Sequence, residues 1–399
     1  MTRPVYSLER LFRYVLWVGL LLFPFSSNPD TSIVVHYGHP FLAVAGLLGF
    51  TKRLLDARRI DILEVLAILF VGGMVSTSFW ARAPLVSLAR AGTHLLGLGV
   101  FLGLRSIGSR PEVNLPIRQS IRTALMLSGV ILAGYYVLNL VLKAQSVGLE
   151  QVLLERFVGG AASLPWGATN TIGACLMISV LSVFAVPKRP NLFQGMAVTL
   201  MVLAILSMFS RTLLVLLVLL LVGLLLLERE TTLLKILAGV LLIVVVPMGY
   251  YLMGQEEKTL TVLFAERTDI GGLSSFNERI YIWQVFWDQF LSNPFGGVGY
   301  YGSQDAFGVS GHNFLLTTLV EGGMMGFFTL VAFFAVLFLS VAGSGRPDMP
   351  RIPLLHLNRG AFCLCLVIVN LLVEDAHYTY VFITYFWVFA ALIAPKVVG

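Results

Sequence analysis

Charge is what this chain has least of. Asp, Glu, Lys and Arg make up 12% of its 399 residues, about half the share of an ordinary soluble domain. A soluble fold of this length needs more polar surface than that, so a water-soluble enzyme is excluded. Cysteine is also scarce. Cys175, Cys363 and Cys365 all sit inside apolar runs, where neither a disulfide framework nor a zinc site is built, and Cys-x-Cys is not a metal spacing. No internal repeat or low-complexity segment is evident. No cleavage pattern follows the first apolar run, so that run is read as a span of the mature protein. The loop after the first apolar run carries Asp30 alone, with no carboxylate pair.

Apolar residues fill the gap, at 57% of the chain. A membrane-crossing helix needs about 20 of them in succession, and such runs recur throughout. The reading is an all-α integral membrane protein with about twelve transmembrane helices, near 11–27, 33–50, 62–79, 85–104, 121–142, 167–186, 192–210, 212–227, 236–253, 313–340, 361–373 and 381–395. Residues 1–253 hold nine spans with short loops and a polar segment near 143–166. Residues 254–312 form a large loop, and 313–399 hold the last three spans.

Basic residues orient the chain. With both termini cytoplasmic, only Arg82, Arg90, Lys143, Arg156, Arg211, Lys258, Arg267 and Arg279 of the 27 Lys and Arg fall on the outer side. That places 254–312 in the periplasm of a bacterial inner-membrane protein. The stretch 192–227 is broken only by Ser210-Arg211-Thr212. As one helix it would be about 54 Å long, against a hydrocarbon core of about 30 Å. Two helices are therefore expected, with Arg211 at the turn between them.

The outer-side arginines are the informative charges, because several together suit an anion. Ser275-Phe276-Asn277-Glu278 has the form of a capping box, predicting a helix to about Leu291 with an apolar face of Phe276, Ile280, Trp283, Trp287 and Phe290. Arg279 lies on that face and in the first turn, where the helix dipole disfavours a cation. It fits an anion held at the helix N-terminus, or an arginine snorkelling over a membrane-surface helix. Arg82 opens the fourth span, as a boundary anchor or a phosphate contact. Arg90 lies about two turns in, with His94 on the same face, and reads either as an anion ligand or as an interhelical hydrogen bonder.

His312, in Gly311-His312-Asn313, begins the tenth span after the glycine-rich run Asn293 to Gly302. Imidazole is the side chain best placed in pKa to take a proton near neutrality; a capping or interface histidine is the plain alternative. Gly323-x-x-Gly326 on the same face permits close helix approach. Glu321 reads as buried polar glue, and His36, His39 and His356 as structural. Glu374, Asp375 and His377 crowd one short loop without a fourth donor, so no metal is expected.

Taken in order, Ser210-Arg211-Thr212, Arg279-x-x-x-Trp283, Asn293-Pro-Phe-Gly-Gly-Val-Gly299 and His312-Asn313 followed by Gly323-x-x-Gly326 resemble the O-antigen ligase and O-antigen polymerase superfamily, most specifically over 205–330. The resemblance implies a GT-C-like glycosyltransferase that needs no cofactor and moves a glycan from undecaprenyl diphosphate to an acceptor hydroxyl, with the active site facing the periplasm. It implies His312 as the base, Arg211 and Arg279 on the diphosphate, and a basic residue at Arg82; Arg90 and Asn313 complete the expected binding set. The acceptor is lipid A-core for a ligase, the preferred reading, or a growing glycan on its carrier for a polymerase. Membrane lipids are the remaining partner, and no nucleic acid is expected. A lipid-linked sugar exporter is the alternative of another class. It explains the size, but not a histidine beside the arginines, and the related halves of a transporter are not found.

Overall fold

A computed structural model describes residues 3–26, 36–56, 60–108, 111–148, 151–152, 164, 169–186, 190–208, 210–226, 235, 238–239, 241–243, 246–247, 275–303, 311–343, 351–352, 357–373 and 379–394, without the side chains of 3–7, 111–114, 211, 275–279, 351–352 and 357. The apolar runs become helices: α1 Arg3–Leu22, α2 His39–Leu54, α3 Ile62–Thr77, α4 Pro84–Ile107, α5 Pro111–Val147, α6 Thr169–Ala185, α7 Leu192–Ser207, α8 Arg211–Leu226, α9 Ser275–Ser292, α10 Phe314–Ala342, α11 Arg359–Val373 and α12 Tyr380–Ile393. A 3-10 turn, Ser78–Trp80, extends α3. Two-residue strands Arg351–Ile352 and Leu357–Asn358 pair antiparallel before α11. The expected spans overlap these helices except 236–253, most of which lies outside the described residues, as do 254–274.

Among the described residues four helical stretches are long and apolar enough to cross a membrane: Ile62–Trp80, Pro84–Ile107, Leu115–Val147 and Phe314–Ala342. Five shorter apolar helices accompany them. The protein is a helical membrane protein of the multi-pass kind.

Local sequence sets the helix ends. Asp61 caps α3 by accepting the Glu64 N–H at 2.9 Å, and Asn191 with Gln194 forms a reciprocal capping box on α7, so first-turn donors are satisfied by side chains. The expected break between α7 and α8 is present, and Ser210 O accepts Leu214 N at 2.9 Å to start α8.

Helix α12 is buried along its whole length and packs on α4, α5 and α6. A helix apolar on every face can sit there. Its Trp387 meets Phe101 and Phe333 and lies over Gly97, where an added Cβ would come within 2.3 Å of the indole. Helices α2 and α4 touch backbone to backbone. A Cβ on Gly49 would stand 2.0 Å from Gly99 O, and one on Gly99 would stand 2.4 Å from Gly46 O. Small residues are what let membrane helices approach this closely.

The distant ends of α1 to α4 hold a surprise for the sequence reading. Lys52, Arg53 and Arg105, counted as cytoplasmic loop charges, are buried. Glu64, fully buried, accepts from Arg53 at 2.9 Å and from Arg105 at 3.5 Å. Arg105 also pairs with Asp61, and Lys52 meets Glu9 at 3.1 Å. These cations are committed to neighbouring helices, because an unpaired buried charge would cost several kcal/mol, of order 3–5.

Candidate active site

Helix α10 is the frame of the site, and it is broken. Gly323 has φ 60° and ψ −164° in mid-helix, a backbone region open essentially to glycine alone. A break strands carbonyl and N–H groups, which an apolar surrounding does not solvate. The chain following α9 supplies the partners. Val298 N donates to Val320 O at 2.9 Å, Gly299 N to Glu321 O at 3.0 Å, and Met324 N donates to Pro294 O at 2.8 Å. Gly297 and Gly299 take positive φ to follow this path. A Cβ on Gly323 would lie 2.2 Å from Phe295 O. The backbone that Gly323 admits is thus the glycine-rich segment and not another helix, which corrects the expectation of close helix packing. Gly326 meets only Thr318 of its own helix, at 3.6 Å.

The start of α4 holds the other side of the segment. Ala81 lies against Gly299, Trp80 Nε1 donates to Gly296 O at 3.3 Å, and Ser87 Oγ donates to Tyr300 O. Arg90 and His94 share a face as expected, and both turn to this segment. The Arg90 guanidinium sits 4.1 Å from the Tyr301 ring centre and 5.7 Å from that of Tyr380. His94 meets Tyr300 edge-on at 5.8 Å and receives Trp387 Nε1 at 3.3 Å. Arg82 is exposed, two residues beyond Trp80. His36, His39 and Tyr380 pack ring against ring nearby.

Glu321 is buried, 3% exposed, and Oε1 accepts from Ser303 Oγ at 2.5 Å, as its reading as buried polar glue requires. Burial raises the Tyr300 phenol well above its ordinary range; the Glu321 carboxylate adds to this and Arg90 opposes it.

His312 is half-buried and holds φ 47°. With Tyr301, at φ 62°, it is one of two non-glycine residues with positive φ among the described residues. Such conformations cost of order 1–3 kcal/mol and concentrate at functional sites. Both bound one stretch, 301–312. Asn313 is the cap of α10, its Oδ1 accepting Leu316 N at 3.1 Å, so His312 stands just before the helix and not in it.

Helix α9 starts at Ser275 and docks on α10. Phe286 and Phe290 are buried with Val320, flanked by Ile282, Leu316 and Leu319. The face differs from expectation: Ile280 and Trp287 point outward, 38% and 49% exposed. Trp283 Nε1 donates to Gly311 O at 2.7 Å, tying α9 to the residue before His312. Arg279 lies in the first turns of α9, four positions before Trp283. Arg211 is the first residue of α8, which packs on α6, α7 and α11. The side chains of Arg211 and Arg279 lie outside the described residues, as do His356, Glu374, Asp375 and His377.

Residues 196–331 match the family model described as O-antigen ligase. Over that stretch, about a third of its length, the chain is similar to the O-antigen ligase family. No curated protein matches it. The stretch matched to the O-antigen ligase family runs from α7 into α10 and takes in Arg211, Arg279, the glycine-rich segment, His312 and the break at Gly323. The match supports a function of the O-antigen ligase or polymerase type in general. Tyr300, Tyr301 and Ser303 were missed from sequence. Their signal, polar and aromatic residues inside a glycine-rich run, reads as a turn until α10 is seen to be broken beside it.

Proposed function

We propose that this protein is an O-antigen ligase-type glycosyltransferase of the bacterial inner membrane, crossing it about twelve times with both termini cytoplasmic. It transfers a glycan from undecaprenyl diphosphate to a hydroxyl of lipid A-core on the periplasmic side. The observation that carries the reading is the Trp283–Gly311 bond, which couples the helix bearing Arg279 to the residue before His312, inside the stretch matched to the family.

In the proposed reaction the acceptor oxygen attacks the anomeric carbon and His312 takes its proton. The bond from that carbon to the diphosphate breaks, and its electron pair leaves with the lipid diphosphate. Arginine forks suit that leaving group, because paired N–H donors meet two phosphate oxygens at once. Arg211 and Arg279 take this role, so no metal is called for. Arg82, exposed at the rim, supplies a further phosphate contact, and Asn313, whose Oδ1 caps α10, can donate its Nδ2 to substrate. Arg90 adds its charge to the basic side of the site while its stacking on Tyr301 and Tyr380 holds the loop.

A polymerase of the same family would use the same groups with a carrier-linked glycan as acceptor. Deletion in the source bacterium separates the two. A ligase mutant leaves lipid A-core bare while long polymer accumulates on the carrier; a polymerase mutant leaves lipid A-core bearing single repeat units, and that result would overturn the ligase reading.

A further inference from the structure

Between α3 and α10, roofed by the glycine-rich segment, lies a cavity of about 550 Å³, within the usual range of about 300–1,000 Å³ for small-ligand sites. Leu69, Gly72 and Gly73 of α3 face Thr318, Glu321 and Gly322 of α10 across it. Phe314, two residues after His312, and Tyr300 also line it, and Trp80 and Phe295 form its rim.

Three observations say that something fills it. Gly72, Gly73 and Gly322 each have open space where a Cβ would stand, so no described part of the protein packs there. Adjacent glycines in mid-helix weaken α3 by about 0.5–1 kcal/mol each relative to alanine, and no neighbouring helix closes on them to offset that cost. The hydroxyls supply the second observation. Ser76 returns its own to Gly72 O at 2.8 Å, Thr77 to Met74 O at 3.2 Å and Thr329 to Met325 O at 2.9 Å. Thr318, 7% exposed, makes no such bond among the described residues. Third, Glu321 lies one turn further along α10 and lines the same cavity, its Oε1 accepting from Ser303.

The character of the lining selects the ligand. The cavity carries one carboxylate and, among its described lining residues, no cation, so the diphosphate of the donor is repelled from it. A bare hydrocarbon chain would leave the buried Thr318 hydroxyl without a hydrogen bond, at about 1–3 kcal/mol. A neutral sugar ring offers hydroxyls to the carboxylate and the threonine, and a C–H face to the aromatic and aliphatic side chains that make up most of the lining. The geometry points to this cavity as the acceptor subsite, binding a sugar of the acceptor glycan with Thr318 and Glu321 on its hydroxyls and delivering it beside His312. This rests on the transferase reading above.

The test is steady-state transfer from undecaprenyl-diphosphate-linked glycan to purified lipid A-core, varied in acceptor and then in donor, with a carrier-linked glycan acceptor run in parallel. Thr318→Val is isosteric and removes a hydroxyl that supports nothing among the described residues, so a merely structural Thr318 predicts an unchanged enzyme. As an acceptor ligand, its loss raises the acceptor KM by about three- to tenfold and leaves the donor KM and the melting temperature unchanged. Gly73→Leu, which fills the cavity with a better helix former, raises acceptor KM in the same way. If the wild type transfers glycan but both variants keep the wild-type acceptor KM, or raise only the donor KM, the subsite is wrong and the transferase reading stands. A wild type that transfers to neither acceptor defeats the transferase reading itself.

Discussion

Replacing Gly323 by alanine tests the architecture of the site directly. Alanine at φ 60° and ψ −164° is strained by about 1–3 kcal/mol. Its Cβ would stand 2.2 Å from Phe295 O and 2.4 Å from Phe295 C, so the glycine-rich segment must lift away. The Met324 N to Pro294 O bond is the nearest to be lost, and a buried donor left unmade costs about 1–3 kcal/mol. Together these give about 2–6 kcal/mol of local destabilisation. Gly326→Ala is the matched control. It adds a methyl at an ordinary 3.6 Å from Thr318 O and a helix preference of about 0.5–1 kcal/mol. Thermal unfolding of both variants in one detergent should show Gly323→Ala well below wild type and Gly326→Ala equal or higher. Transfer activity should follow the same order. If Gly323→Ala melts with the wild type, or Gly326→Ala is the more damaged, the inserted segment is not what Gly323 serves.

His312→Ala and His312→Gln should each lose about 100- to 10,000-fold in transfer rate while undecaprenyl diphosphate still binds; normal turnover at saturating donor in either variant would make His312 a binding residue. Arg211→Lys and Arg279→Lys keep the charge but lose the two-pronged fork, so donor KM should rise and rate fall, and two fully active lysine variants would reduce both arginines to anchors. Transfer by purified protein should persist in excess chelator, and recovery of a lost activity with magnesium would bring Glu374, Asp375 and His377 into the site. Glu64→Gln removes the shared partner of Arg53 and Arg105 and should destabilise the fold by about 3–5 kcal/mol, read as a large drop in melting temperature without a change in KM.

Helix positions were legible because about 20 apolar residues in a row have few alternatives in a membrane. The start of α9 was legible from Ser275 and Glu278, and the α7–α8 junction from an arginine set in a run too long for one helix. The buried face of α9 was not legible. Lipid is as apolar as a core, so Ile280 and Trp287 facing out look in sequence no different from Phe286 facing in. The same ambiguity hid the break at Gly323, since glycine in an apolar run reads as a helix contact. The pairing of Arg53 and Arg105 with Glu64 was hidden for another reason: counting basic residues by loop records which end of a helix carries them, not whether they face water. Of the residues gathered around the glycine-rich segment, His312 and Arg90 were singled out in the sequence. The tyrosines that accompany Arg90, and the cavity beside Phe314, depend on segments far apart in the chain.

The close seam between α2 and α4 divides the bundle mechanically. Gly46 and Gly49 of α2 meet Gly99 of α4 main chain to main chain, with Leu96 and Phe50 packed beside them, which leaves the two helices little room to slide. Helices α3 and α10 also pack on each other, but a cavity opens between part of their length, and α10 is already broken at Gly323. Breathing needed to admit a glycan and release a longer product is therefore concentrated on the α3–α10 side, with α2 and α4 as the fixed wall. A spin-label pair spanning α3 and α10 should report a change in distance when substrate binds, and a pair spanning α2 and α4 should not.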